Sequence, residues 1–123
     1  MGAKSFRDLK VWQEAYALTI IPQDMTAGFP PEERFRMVDQ LTRAVDSIGS
    51  NIAEGFGRRS PRDKVRFYTM AFSSGDEVKH RLLVSKGRKL VKDISAPMRS
   101  VESISKMLRS LINRILREDC GDA

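Results

Sequence analysis

Apolar side chains recur every three or four positions along almost the whole chain, and no stretch shows the alternation of a strand. The spacing predicts four helices. The first covers about Asp8 to Ala27, with Leu9, Trp12, Tyr16 and Ile20 on one face. Pro22 falls inside it, where a missing N–H and a ring clash predict a kink or an early end. Gly28-Phe29-Pro30-Pro31 stops this segment, and Pro31-Glu32-Glu33 opens the next with a first-turn proline and carboxylates facing the helix dipole. In the second helix Phe35, Val38, Leu41, Val45, Ile48, Ile52 and Phe56 follow at intervals of 3, 3, 4, 3, 4 and 4 residues, drawing one apolar stripe. Small residues beside it, among them Ala44, Ser47, Gly49 and Ala53, admit a close neighbour. Gly55 and Gly57 suit a helix terminus, where glycine takes up the left-handed conformation.

Ser60-Pro61-Arg62-Asp63 reads as a capped start for a third helix reaching about Lys86, with Val65, Tyr68, Phe72, Val78 and Leu82 on its apolar face. Gly75, costing about 1 kcal/mol relative to alanine in a helix interior, requires either close packing or a local irregularity. After a basic connection, Ser95 is placed to cap a fourth helix ending near Glu118, with a heptad-like seam of Val101, Ile104, Leu108, Leu111 and Ile115. Four segments of this kind joined by short Gly/Pro-containing turns predict an all-α, antiparallel up-and-down four-helix bundle. One domain over residues 1–123 is expected, with flexible ends at about 1–6 and 119–123. An apolar stripe left outside the core would serve self-association.

Composition narrows the setting. The 41% hydrophobic and 31% charged fractions are those of a folded soluble protein, without the ~20-residue apolar run of a membrane span. The first residues lack the apolar core of a signal peptide, and a lone Cys120 forms no internal disulfide, so a cytoplasmic protein is expected. Charge is uneven: residues 1–57 hold six Lys/Arg against eight Asp/Glu, residues 58–123 sixteen against eight. Such clustering favours a polyanionic partner, although a solvated face explains it too.

Catalytic chemistry is scarce. With one histidine, His80, and one cysteine, no Cys/His pair within a helix and no multi-ligand zinc site is available. Glu77 and His80 have the Glu-x-x-His spacing of di-iron bundles, but a second such pair is missing. Gly55-Phe56-Gly57 lacks the strand and the Gly-Lys-Ser/Thr of a nucleotide loop. No metal, no cofactor and no catalysis are expected. Arg58 and Arg59, just before the Ser60 cap, approach the positive end of the third helix, a plausible phosphate site unless Asp63 takes the free amides. Arg62, Lys64, Arg66, Lys79, Arg81, Lys86, Arg88, Lys89, Lys92, Arg109 and Arg117 extend this set. Phosphate binding needs such a surface and weakens steeply with salt. The aromatics lie on helical stripes and suit the core better than base stacking.

Three stretches carry a family resemblance: Phe6-Arg-Asp-Leu-Lys-Val-Trp-Gln-Glu-Ala15, Phe29-Pro with Glu33-Arg-Phe35, and Ser50-Asn-Ile-Ala-Glu-Gly-Phe-Gly-Arg-Arg-Ser60. They resemble the four-helix bundle family encoded by intervening sequences of bacterial 23S ribosomal RNA genes, also called S23 ribosomal proteins. The resemblance implies a non-catalytic bundle without cofactor, assembling as a homopentameric ring linked to nucleic acid. A related branch accompanies the reverse transcriptase of diversity-generating retroelements. Asn51, Glu54, Gly55 and Arg66 are characteristic positions, explained equally by a polar structural network or a ligand. The chain departs from the family at Pro22, at Gly49 where proline is usual, and at Gly75 where leucine is usual. The leading expectation is a ring-forming protein binding structured RNA, in preference to DNA, through the third helix, the connection and the fourth helix. The competing expectation is a protein-interaction scaffold, such as a reverse transcriptase accessory factor.

Overall fold

The computed structural model describes residues 2–20, 28 and 30–120, the Arg34 side chain excepted; Pro22 and Phe29 lie outside these. A 3-10 turn at Phe6–Asp8 leads into α1 (Lys10–Leu18), followed by α2 (Pro31–Gly57), α3 (Pro61–Gly87) and α4 (Ser95–Asp119). Each helix lies against the one before it, and α1 also touches α4, closing a four-helix bundle. Side-chain pairs joining Ser47 to Ser74 and Gln40 to Arg81 run in opposite order along α2 and α3, so the two are antiparallel.

The starts of α2 and α3 are built from the residues expected. Pro31 and Pro61 occupy first-turn positions, and Ser60 Oγ accepts from the Asp63 amide at 3.0 Å. The ends differ from expectation. No glycine there is left-handed: α2 stops because Arg58 turns extended, and Gly55 lies inside the helix. At the end of α3 the left-handed residue is Lys89, with φ 62°, two positions beyond Gly87. The Leu90 amide donates to the Ser85 carbonyl and the Lys89 amide to the Lys86 carbonyl, the paired bonds of a Schellman ending. Ser95 does not cap α4. It is the first helical residue, and its amide donates 2.9 Å to Asp93 Oδ1.

The core runs through Val11, Ala15 and Leu18 of α1, Leu41, Val45, Ile48 and Ile52 of α2, Tyr68, Val78 and Leu82 of α3, and Val101, Ile104 and Leu108 of α4. Three expected core positions point outward. Tyr16 and Ile20 are more than half exposed, because α1 turns Val11, Ala15 and Leu18 inward instead. Phe35 is 83% exposed in the first turns of α2, where Met37 takes the buried place. The N-terminal end is more tied down than expected. Lys4 and Ser5 amides donate to Asp8 Oδ2, and the Phe6 ring meets Trp12 edge-on at 5.1 Å.

Glycines set how closely helices approach. A Cβ on Gly55 would lie 2.7 and 2.9 Å from the Tyr68 ring, so only glycine lets that buried ring seat on α2. Burial also raises the Tyr68 pKa above its ordinary value. Gly75 sits in an unbroken α3, buried against Ser105 and Val101, which settles its role as close packing.

Candidate nucleic-acid interface

Because α3 holds 27 residues, it extends about 40 Å, and the thirteen cations expected to form one surface fall into separate groups along it. Arg58, Arg59, Arg62, Lys64 and Arg66 surround the α2–α3 turn, and Arg117 comes to the same end on antiparallel α4. Lys86, Arg88, Lys89 and Lys92 occupy the opposite end. Lys79 and Arg109 lie between, in the groove where α3 meets α4. Arg81 belongs to none of these: it faces α2.

Partners separate the cations further. Arg58 Nη2 lies 3.1 Å from Glu54 Oε2, and its guanidinium lies 4.6 Å above the Phe67 ring. Arg66 stacks over the same ring at 4.9 Å. Such stacking is favourable for a guanidinium because the ring face is negative. Lys64 Nζ donates to the Phe56 carbonyl at 2.8 Å and reaches the Gly55 carbonyl at 3.4 Å, satisfying acceptors that the end of α2 leaves open. Arg81 donates to Gln40 Oε1 at 3.0 Å and lies 3.7 Å from Glu77. Arg88 reaches across to Glu33 at 3.7 Å. Arg59, Arg62, Lys86, Lys89, Lys92 and Arg117 are exposed, with no carboxylate partner among the described residues. Of the thirteen, these six are the most available to a phosphate backbone.

A phosphate cradle at Arg58 and the start of α3 is disfavoured by this geometry. A shallow hollow there, about 430 Å³, is lined by Phe6, Ala53, Glu54, Gly57 and Arg58, so a carboxylate already neutralises the guanidinium. Asn51 takes part in a polar network. Its Nδ2 donates to the Ser47 carbonyl at 2.9 Å and to Ser47 Oγ at 3.1 Å, Ser47 Oγ meets Ser74 Oγ at 2.8 Å, and Ser74 donates to the Met70 carbonyl.

The groove between α3 and α4 holds a combination that composition did not disclose. Phe72, Lys79, Glu102, Ser105, Lys106 and Arg109 line a space of about 390 Å³, and the Arg109 guanidinium lies 5.1 Å over the Phe72 ring. Ser105 was legible only as a serine at a core interval of α4, four residues after Val101. His80 is exposed, and among the described residues no cluster of three His, Cys, Asp or Glu could hold a metal ion. No helix among them is long and apolar enough to cross a membrane.

The fold is that of an all-helical bundle whose cations gather at both ends and in one groove. The chain belongs to the 23S rRNA-intervening sequence protein family, whose profile matches residues 7–110. It is also similar in structure to a protein of unknown function from the S23 ribosomal protein family of Bacteroides thetaiotaomicron. That similarity covers 83% of this chain and 97% of the other, at 20% identity and a TM-score of 0.75, and it shows the shared fold. No curated protein matches the sequence.

Proposed function

We propose that this protein is a non-catalytic, self-associating bundle that binds structured RNA through its phosphate backbone. The observation that carries this reading is the set of unpartnered exposed cations at both ends of α3, Arg59, Arg62 and Arg117 at one and Lys86, Lys89 and Lys92 at the other. They are separated by the length of α3, about 40 Å, so one rigid helix presents two groups of cations to a phosphate backbone. RNA in preference to DNA is the choice that the family description, 23S rRNA-intervening sequence protein, supports. Exposed Tyr16, Phe35, Leu83 and Leu116 supply apolar area for self-association, and a ring of five is the assembly the family resemblance implies.

The test is binding to labelled structured RNA and duplex DNA across a salt titration, with mass by light scattering in the same buffers. Tight binding by an oligomer, falling linearly in log–log with salt, is expected. Charge reversal at Arg59 and Arg62 should weaken binding across sequences and lower the salt slope by about 1 per lost contact. An oligomer that ignores both nucleic acids at low salt overturns the reading and directs the search to an acidic protein partner.

A further inference from the structure

Ser105 of α4 lines the α3–α4 groove and packs against Gly75 of α3. Gly75 contributes no side chain, and a Cβ there would come 3.3 Å from Ser105 Oγ and 3.6 Å from Val101 Cγ1. Ser105 is only 6% exposed, yet its hydroxyl has no hydrogen-bond partner. A buried hydroxyl without a partner is unfavourable, and native proteins generally give such a group one.

Around that hydroxyl the groove has two chemically different parts. Lys79, Lys106 and Arg109 stand over the Ser105 end with one carboxylate, Glu102. Lys79 is held only loosely by its own helix, 3.9 Å from Asp76. The second part is an apolar hollow of about 200 Å³, lined by Thr69, Phe72, Arg109 and Ile112. The two spaces share Phe72 and Arg109, so they adjoin. A ligand that satisfies both carries an anion at one end and a flat apolar group at the other.

We propose that this groove binds one unpaired nucleotide of an RNA strand, with its phosphate on Lys79, Lys106 and the Ser105 hydroxyl and its base against Phe72 and Ile112. The proposal deepens the RNA-binding reading and rests on it. Ser105 donates its hydroxyl proton to a phosphate oxygen, filling the missing hydrogen bond. Phe72 and Ile112 supply apolar surface for a base, and the Arg109 guanidinium, already over the Phe72 ring, adds a flat cation against which a base stacks. Glu102 is an acceptor for sugar hydroxyls, including the 2′-OH that distinguishes RNA from DNA.

The experiment uses the full chain with 5′-AMP, adenosine and inorganic phosphate as separate probes, followed by NMR shifts and calorimetry. AMP is expected to bind at least tenfold more tightly than either fragment. Ser105→Ala should reduce AMP affinity about tenfold, the loss of a hydrogen bond to a charged group, and Lys79→Gln with Lys106→Gln by more. Arg36→Gln with Arg43→Gln removes equal charge from α2 and should leave AMP affinity unchanged. Thermal melts of each variant confirm folding, and Ser105→Ala deletes a single atom without breaking a hydrogen bond, so it remains informative if the lysine pair unfolds the protein. AMP binding that is absent, or insensitive to the groove variants, overturns the proposal. Duplex RNA, which has no unpaired nucleotide, tests the underlying reading by itself. Binding of duplex RNA without AMP binding sinks only the groove, whereas failure of wild-type protein to bind any RNA sinks the reading on which it rests.

Discussion

The two seams on either side of α3 use similar residues to opposite ends. Against α2, the polar groups are joined: Asn51, Ser47 and Ser74 form a chain of hydrogen bonds, Arg81 reaches Gln40, and Arg88 faces Glu33. Two buried atoms there also lack a hydrogen-bond partner, Arg81 Nε and Glu33 Oε2, but each belongs to a side chain with an opposite charge close by, Glu77 and Arg88. Against α4, the serine hydroxyl is unpartnered and cations stand over an aromatic ring beside open space. A seam whose polar groups satisfy one another contributes stability and rigidity, while one that leaves them free keeps binding capacity.

The largest expected break in this contrast is Gly55→Ala. A methyl group placed 2.7 Å from the Tyr68 ring forces a buried side chain off its seat, with a cost of about 1–3 kcal/mol. That exceeds the ~1 kcal/mol alanine returns in helix propensity. Gly49→Ala is the control, since its Cβ would meet Trp12 and Ala15 at ordinary distances of 3.6 and 3.9 Å. It should stabilise by up to about 1 kcal/mol. Urea midpoints measure both, and a Gly55→Ala midpoint equal to that of Gly49→Ala would show that the α2–α3 seam yields as easily as α1 does.

A smaller and sharper comparison sets Ser74→Ala against Ser105→Ala. Ser74 accepts from Ser47 and donates to Met70, so its removal should cost about 1 kcal/mol. Ser105 loses no bond within the protein, so its removal should be neutral or stabilising by up to about 1 kcal/mol. Chemical denaturation separates the two. Equal losses would mean that Ser105 is satisfied after all, which would also remove the structural ground for a ligand there.

The distinction between the seams was only partly visible in the chain itself. Repeating intervals of three and four, with Ser60-Pro61 and Pro31 as starts, were enough for the bundle and for the buried stripe from Leu41 to Ile52. They failed in α1, where Val11, Ala15 and Leu18 compete with Leu9, Trp12, Tyr16 and Ile20. Both sets have helical spacing, and only the neighbouring helices decide which turns inward. The excess of cations after residue 57 was equally legible, and so were i,i+4 pairs such as Glu54 with Arg58. Arg88 on Glu33 and Gly75 against Ser105 join residues far apart in sequence. Such pairs follow from the register of one helix on another, which no local pattern encodes.

The smallest expected effect lies at the connection that begins the α4 side. The Ser95 hydroxyl beside Asp93 and the Ser95 amide, which donates to Asp93 Oδ1 at 2.9 Å, hold the Asp93 pKa below the usual carboxylate value, with Arg99 and Lys86 adding weaker attraction. The unfolded chain therefore takes up a proton at Asp93 at a higher pH than the folded chain does. Its contribution to stability is complete above the ordinary aspartate pKa and is lost as pH falls through the depressed folded value. Asp93→Asn keeps a neutral acceptor and cannot titrate, so the difference in urea midpoint between wild type and this variant should shrink as the pH is lowered from 7 toward 2. Ser95→Ala should shrink it at every pH, because it removes the first of the two donors. A difference that stays constant with pH would mean that the bond to the amide does not depend on the charge. The register of α4 against α3 would then rest on the seam alone.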